Sequence, residues 1–203
     1  MFYKFARGFV NLLLRMLFRV RIYGNNALDN VDGCIVYANH TNYLDPVVVG
    51  CTAKRQVKFM AKKELFEIRI LGYILNKLGT FPVRRGEADL TAVKTAMKIL
   101  KNGEVLGIFP EGTRNKNANG KFLDAEPGLS MIAVKSRVPV IPVAILPKYK
   151  LFGTVTIVYG DPFYLDEYYQ QKLTVEEHRG ISNNLMERIR ILMREKAVGG
   201  TGY

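Results

Sequence analysis

The chain holds two histidines, and one of them, His40, stands in the stretch NHTNYLDP, with Asp45 five residues on and a proline directly after it. An imidazole that meets a carboxylate makes a general base. The carboxylate on one ring nitrogen fixes the tautomer and raises the basicity of the other. Such a base is typically worth about 10² to 10⁴ in rate. On a shared helix the two side chains would stand about 140° apart, at 3.6 residues per turn, and Pro46 disfavours helical backbone at Asp45. The pair therefore requires a loop that leads from a strand into a helix. Both residues also have plainer uses: a turn histidine, and an N-cap aspartate ahead of a proline at the first helical position. The two roles coexist for Asp45, since a carboxylate has two oxygens. The expectation is one carboxylate that orients His40 and lies at a helix start.

Two further clusters bear on anions. FPEGTRN places Glu111, Gly112, Thr113 and Arg114 just past an apolar run. Gly112 permits a sharp turn, and the planar fork of Arg114 matches a phosphate. The plainer reading is a surface turn with a solvated arginine. GTFPVRRG places Arg84 and Arg85 after a short extended segment; here the plainer reading is a basic loop that adds only charge. His178, among charged residues in TVEEHRG, reads as a solvated helix position. Cys34 and Cys51 sit in apolar surroundings and read as buried, reduced thiols, which suits a cytosolic environment. Distant histidines and apolar cysteines lack ligand spacing, so no metal site is expected.

These clusters need a frame to hold them. The apolar runs CIVYA (34–38), VKFMA (57–61), TFPV (80–83), VLGIFP (105–110), VPVIPVAIL (138–146) and VTIVYG (155–160) read as strands or extended pieces. Between them lie helical patterns at ELFEIRILGYILNKLG (64–79), at DLTAVKTAMKILKNG (89–103) with Leu90, Val93, Met97 and Leu100 on one face, at GLSMIAVKSR (128–137), and over 176–197 with Leu185, Ile189 and Met193 inward. Alternation of this kind predicts an α/β fold, a mostly parallel or mixed sheet flanked by helices. Sites in such sheets form at strand carboxyl ends, which is where the His40 and Glu111 clusters fall.

With 203 residues the chain is one domain of globular composition, and its formal net charge of +12 favours an anionic partner. The first segment, MFYKFARGFVNLLLRMLFRV, narrows the choice. As a helix it gathers Lys4, Arg7, Gly8, Asn11, Arg15 and Arg19 into one stripe, leaving Phe2, Phe5, Phe9, Leu12, Leu13, Met16, Leu17 and Phe18 on a wide apolar face. No run reaches the roughly 18 uncharged residues of a membrane span, and the interspersed cations do not fit a signal peptide. The pattern suits a helix lying in the membrane interface, anchored by Phe2, Phe5, Phe9, Leu13 and Met16 with Arg15 and Arg19 at the headgroups. The other reading is a helix packed on the protein's own core. Three parts are expected: residues 1–22 as this helix, 23–198 as the enzyme domain, and 199–203 as a mobile tail.

Four segments, in order, resemble the glycerolipid acyltransferases of the 1-acylglycerol-3-phosphate acyltransferase type. NHTNYLD fits that family's N-H-x4-D motif. GTFPVRR is similar to its second block, with Arg85 at the phosphate-binding arginine; many members carry an acidic residue where this chain has Arg84. FPEGTRN resembles the third block through Glu111, Gly112 and Arg114, and VPVIPV (138–143) resembles the fourth. The resemblance implies the family's fold and an acyl transfer from a thioester, acyl-carrier protein or acyl-CoA, to the sn-2 hydroxyl of 1-acylglycerol-3-phosphate, giving phosphatidic acid. His40 and Asp45 would be catalytic. Arg84, Arg85, Glu111, Gly112, Thr113 and Arg114 would bind the acceptor, Glu111 through a glycerol hydroxyl. It implies no cofactor, a lysophospholipid and an anionic membrane as partners, an acyl-carrier protein as one candidate donor, and a place at the cytoplasmic face of the membrane, monotopic or peripheral. Other lysophospholipids or glycerol-3-phosphate are alternative acceptors. A basic nucleic-acid-binding domain also accounts for the charge, but the chain carries no DNA or RNA recognition motif and that reading leaves the first helix's apolar face unexplained.

Overall fold

The computed structural model of the chain describes residues 2–84, 89–116 and 121–198. Its seven strands form one mixed sheet: β1 (Arg19–Tyr23), β2 (Cys34–Ala38), β3 (Val57–Lys62), β4 (Phe81–Val83), β5 (Val105–Ile108), β6 (Val140–Leu146) and β7 (Thr154–Tyr159). The order across the sheet is β1-β7-β6-β2-β5-β3-β4, and every neighbouring pair is parallel except β6 with β7. The helices are α1 (Phe2–Leu17), α2 (Asp45–Thr52), α3 (Glu64–Glu67), α4 (Arg69–Lys77), α5 (Leu90–Lys101), α6 (Gly128–Ser136) and α7 (Val175–Val198).

The central strands β2 and β5 are buried at every position. This explains their unbroken apolar runs, because a parallel strand covered on both faces has no solvent side. Alternate side chains divide between two layers. Ile35, Tyr37, Leu106 and Ala144 pack under α5, α6 and α7. Val36, Ala38, Ile141 and Val143 pack under α1 and α2. Each fully buried valine, leucine or isoleucine among them contributes about 1.5–3 kcal/mol, so the two layers together outweigh any single polar contact in holding the sheet.

Several elements differ from the expectation. The first helix ends at Leu17 rather than 22, and Arg19 lies on the edge strand β1, which pairs in parallel with β7. In RVRIY, Val20 and Ile22 turn inward while Arg19, Arg21 and Tyr23 face out. That is the period of two of a half-buried strand, so the basic stripe extends one residue set too far. The helix expected over 64–79 divides at Ile68, whose backbone is extended at φ −76 and ψ 105. On α5 Leu90 is 71% exposed, while Ala92, Ala96 and Ile99 face the sheet. Small residues let the helix lie close, whereas a first-turn leucine projects beyond the contact. His178 is half-buried rather than solvated, and its Nδ1 is 2.8 Å from the Ser130 hydroxyl of α6. Burial lowers its basicity.

Helix α1 presents two faces. Leu14 is buried, with Tyr3, Arg7 and Val10 half-buried beside it. The Tyr3 hydroxyl donates to the Gly50 carbonyl at 3.2 Å, and the Arg7 guanidinium donates to the carbonyls of Cys51 and Lys54, each at 3.3 Å. The Gly50 and Cys51 carbonyls are among those that the end of α2 leaves without helical partners, and Lys54 follows just past that end. The opposite face exposes Phe2, Phe5, Phe9, Leu12, Leu13 and Met16. A narrow stripe thus docks α1 on the domain, and the wide aromatic face remains outside. Among the described residues no helix is long and apolar enough to cross a membrane.

Candidate active site

The site is built where β2 stops. The buried side-chain amide of Asn39 pairs both ways with the backbone of Ile145: its Nδ2 donates to the carbonyl at 2.9 Å, and the Ile145 N–H donates to Oδ1 at 2.8 Å. A side chain here replaces a rung of the sheet ladder, which lets the main chain leave the sheet at His40. The His40 peptide is then clamped on both sides. Its N–H donates to Glu111 Oε1 at 2.9 Å, and its carbonyl accepts from the Asn115 N–H at 2.7 Å. Glu111 and Asn115 follow β5, the parallel neighbour of β2, so the two expected clusters meet at adjacent carboxyl ends.

The loop after His40 turns back and brings Asp45 Oδ2 to 3.0 Å from His40 Nδ1. The same oxygen accepts the N–H groups of Thr41 at 2.6 Å and Asn42 at 2.7 Å, while Oδ1 accepts the Tyr149 hydroxyl at 2.7 Å. Asp45 is fully buried and His40 is 8% exposed. A carboxylate taken out of water is costly unless its lone pairs are filled, and here four donors fill them. Asp45 does lie at a helix start, but it is not a cap. It is the first residue of α2, the N-cap is Leu44, and no side chain caps that end. The carboxylate reaches upstream to Thr41 and Asn42 because those N–H groups close the loop that holds His40. The tautomer whose Nδ1–H donates to Asp45 carries its lone pair at Nε2. The ring stacks on Phe109 at 4.3 Å, and Phe109 stacks on Phe59 at 5.5 Å. Gly107 makes room for Phe59, since a Cβ there would stand 2.4 Å from its ring.

Glu111 departs from the expected contact with a glycerol hydroxyl. It is 4% exposed, and both its oxygens are occupied, Oε1 by the His40 N–H and Oε2 by the Leu123 N–H at 3.0 Å. Burial pushes its carboxyl above the ordinary glutamate range, opposed by those N–H groups. Glu111 therefore fixes the backbone that carries the His40 imidazole. Gly112 turns with φ +62, and a Cβ there would meet the Glu126 side chain at 2.9 Å. Thr113 is exposed in the same turn.

Arg114 lies over the Tyr43 ring, with its guanidinium carbon 3.4 Å from the ring centroid. Tyr43 belongs to the loop between His40 and Asp45, so the aromatic face holds the guanidinium beside the dyad. Arg84 is exposed after β4, and its N–H donates to Asp89 Oδ2 at 3.0 Å. Arg85 lies outside the described residues, as do residues 199–203. Three residues of the site carry no separate signal in the sequence. Asn39 and Asn115 border recognisable motifs, but their side-chain and backbone partners are invisible there. Tyr149 stands 104 positions from Asp45. Burial, and then the Asp45 charge, raise its phenol well above the usual range, so it remains a donor. Among the described residues no group of three His, Cys, Asp or Glu side chains could hold a metal ion.

Residues 19–146 match the sequence profile of the acyltransferase family. The chain is 32% identical over 143 residues to the 1-acyl-sn-glycerol-3-phosphate acyltransferase of Bacillus subtilis (strain 168), covering 70% of each chain. It is 34% identical over 160 residues to the protein of that name from Streptococcus pneumoniae (strain ATCC BAA-255 / R6), covering 77% of this chain and 58% of that one. The crystal structure of the 1-acyl-sn-glycerophosphate (LPA) acyltransferase PlsC from Thermotoga maritima superposes with a TM-score of 0.71 at 25% identity, over 95% of this chain and 81% of the other.

Proposed function

This chain belongs to the acyltransferase family, and from that premise we propose that it transfers a fatty acyl group from a thioester to the sn-2 hydroxyl of 1-acylglycerol-3-phosphate, forming phosphatidic acid. The observation that carries the reading is the buried dyad: His40 Nδ1 bonded at 3.0 Å to a fully satisfied Asp45 carboxylate, which leaves Nε2 as the base. His40 Nε2 takes the proton of the acceptor hydroxyl as that oxygen attacks the thioester carbonyl. The buried Asp45 charge stabilises the imidazolium so formed. Collapse of the tetrahedral intermediate breaks the carbon–sulfur bond, and the imidazolium returns its proton to the leaving thiolate. No acyl-enzyme and no cofactor enters this scheme.

Arg114, held over Tyr43 beside the dyad, supplies a bidentate partner for the acceptor's phosphate. Arg85, at the motif position of the phosphate-binding arginine, supplies a second, with Arg84 next to it. Positioning of this kind can lower a barrier by several kcal/mol, roughly 7–11 in the most favourable intramolecular cases. The exposed aromatic face of α1 lies in the membrane interface at the cytoplasmic face, where a lipid acceptor is present, so the enzyme is monotopic or peripheral there. The net charge of +12 favours approach to an anionic surface, and also to an acidic acyl-carrier protein as donor in place of acyl-CoA.

The test is an acceptor panel with purified protein in mixed micelles, read by mass spectrometry. 1-Acylglycerol-3-phosphate is acylated with at least one donor, and His40→Ala abolishes transfer while leaving the fold intact. Acylation of glycerol-3-phosphate or another lysophospholipid instead reassigns the acceptor. Near-normal turnover by His40→Ala refutes the mechanism.

A further inference from the structure

Between β6 and β7 the chain makes a tight loop, PKYKLFG, residues 147–153. Its tip exposes Leu151 at 64% and Phe152 at 63%. Phe152 has φ 58, in the left-handed region, where a bulky residue is strained. With most of its ring outside, this aromatic gains little burial within the fold to offset that strain. Two backbone bonds strap the loop to the end of α1: the Phe152 N–H donates to the Leu17 carbonyl at 2.7 Å, and the Arg19 N–H donates to the Gly153 carbonyl at 2.9 Å. Leu17 and Met16 are themselves exposed. The apolar face of α1 therefore continues onto the loop tip. Lys148 and Lys150 flank the tip and are exposed, as is Arg19, whose N–H bonds the loop. Neither the loop nor α1 contains an acidic residue.

We propose that this loop is a second bilayer contact, inserting Leu151 and Phe152 beside the apolar face of α1 while Lys148 and Lys150 meet anionic headgroups. An apolar tip ringed by cations alone is the chemistry of interfacial insertion into an anionic surface. The contact rests on the interfacial reading of α1 and extends it to the catalytic domain. The same loop carries Tyr149, whose ring meets Phe18 edge-on at 5.7 Å and whose hydroxyl bonds Asp45. The lipid surface is thereby held a few residues from the dyad, where a bilayer-borne acceptor must arrive.

The chain has no tryptophan, so a single substitution gives an unambiguous fluorescent reporter. Phe152→Trp, Phe9→Trp and, on α5 at the other sheet face, Leu90→Trp are mixed with phosphatidylcholine–phosphatidylglycerol vesicles, with and without brominated acyl chains. The emission of Phe152→Trp and Phe9→Trp shifts to the blue and is quenched by the bromines, while Leu90→Trp is unaffected. Quenching at Phe9→Trp with water-like emission at Phe152→Trp overturns the loop contact and leaves the α1 reading standing. Quenching at neither site refutes both. Should Phe152→Trp melt early, Leu151→Trp carries the same expectation. The double variant Lys148→Glu, Lys150→Glu binds these vesicles at least severalfold more weakly; unchanged binding refutes the headgroup role of the two lysines. None of these readings depends on which acceptor is acylated.

Discussion

Replacing Asp45 by asparagine separates charge from geometry at the dyad. Asparagine has the shape of aspartate, and the site accommodates it in one orientation. Its carbonyl oxygen takes the place of Oδ2 and accepts from His40, Thr41 and Asn42, while its NH₂ group faces Tyr149, whose hydroxyl oxygen can accept. The three N–H donors keep their acceptor and Tyr149 changes from donor to acceptor, so the fold survives with a smaller loss than truncation brings. The negative charge is lost. The His40–Asp45 bond of 3.0 Å puts the charge centres roughly 4 Å apart, where a unit pair is worth about 4 kcal/mol at an effective dielectric of about 20. That energy is felt in the transition state, where the imidazole is charged, and little in the ground state, where it is neutral. At about 1.4 kcal/mol per factor of ten, Asp45→Asn lowers kcat roughly 10³-fold with KM nearly unchanged. Asp45→Ala instead takes the acceptor from the His40, Thr41 and Asn42 N–H groups and from a phenol, at up to about 1–3 kcal/mol each, and lowers the melting temperature steeply. The assay is steady-state acyl transfer in mixed micelles alongside thermal melts by circular dichroism. If Asp45→Asn keeps kcat within tenfold of wild type, or melts like Asp45→Ala, the account of the dyad is wrong.

Arg114→Ala raises KM for a phosphorylated acceptor by roughly ten- to a hundredfold, the scale of a lost charge-assisted bond, and leaves the donor KM alone; Arg114→Lys recovers part of the loss because an ammonium lacks the planar fork. Equal effects on both substrates, measured by varying each in turn, refute a phosphate role. Tyr149→Phe removes the donor to Asp45 Oδ1 and lowers kcat roughly tenfold, from a bond to a charged group worth about 1.5–3 kcal/mol; turnover within twofold of wild type shows that Asp45 is held without it. Burial raises the folded-state affinity of Glu111 for its proton. Its contribution to stability is therefore present at acid pH, below the unfolded value, and is lost as pH rises through the higher folded value. Glu111→Gln abolishes that slope, and it sets an NH₂ group against the N–H of either His40 or Leu123, at about 1–3 kcal/mol. Urea melts across mildly acidic to neutral pH check both, and a variant that keeps the wild-type slope assigns it to another group.

The sequence by itself determined the α/β class, most of the strands along the chain and the sheet edge at which the polar motifs gather. Continuous apolar runs such as CIVYA and VLGIFP can be satisfied only by strands covered on both faces, and the polar motifs that follow them must then fall at the same edge of the sheet. His40 and Asp45 were legible as a pair because they lie in one loop, and spacing excluded a shared helix. The tertiary structure decided what long-range contact alone can decide. Val20 and Ile22 became a strand because β7 was there to pair with them. Leu90 faced outward because the alanines of α5 fit closer to the sheet. Glu111 looked like a ligand for substrate, and became a clamp on the His40 backbone only once β5 lay beside β2. Asp45 reached upstream instead of capping its helix, since three N–H and O–H donors other than His40 converge on it, one from Tyr149 more than a hundred residues away. Periodicity and motif spacing are local properties of the chain, whereas a hydrogen-bond partner across the sheet is fixed by packing, and no local pattern encodes it.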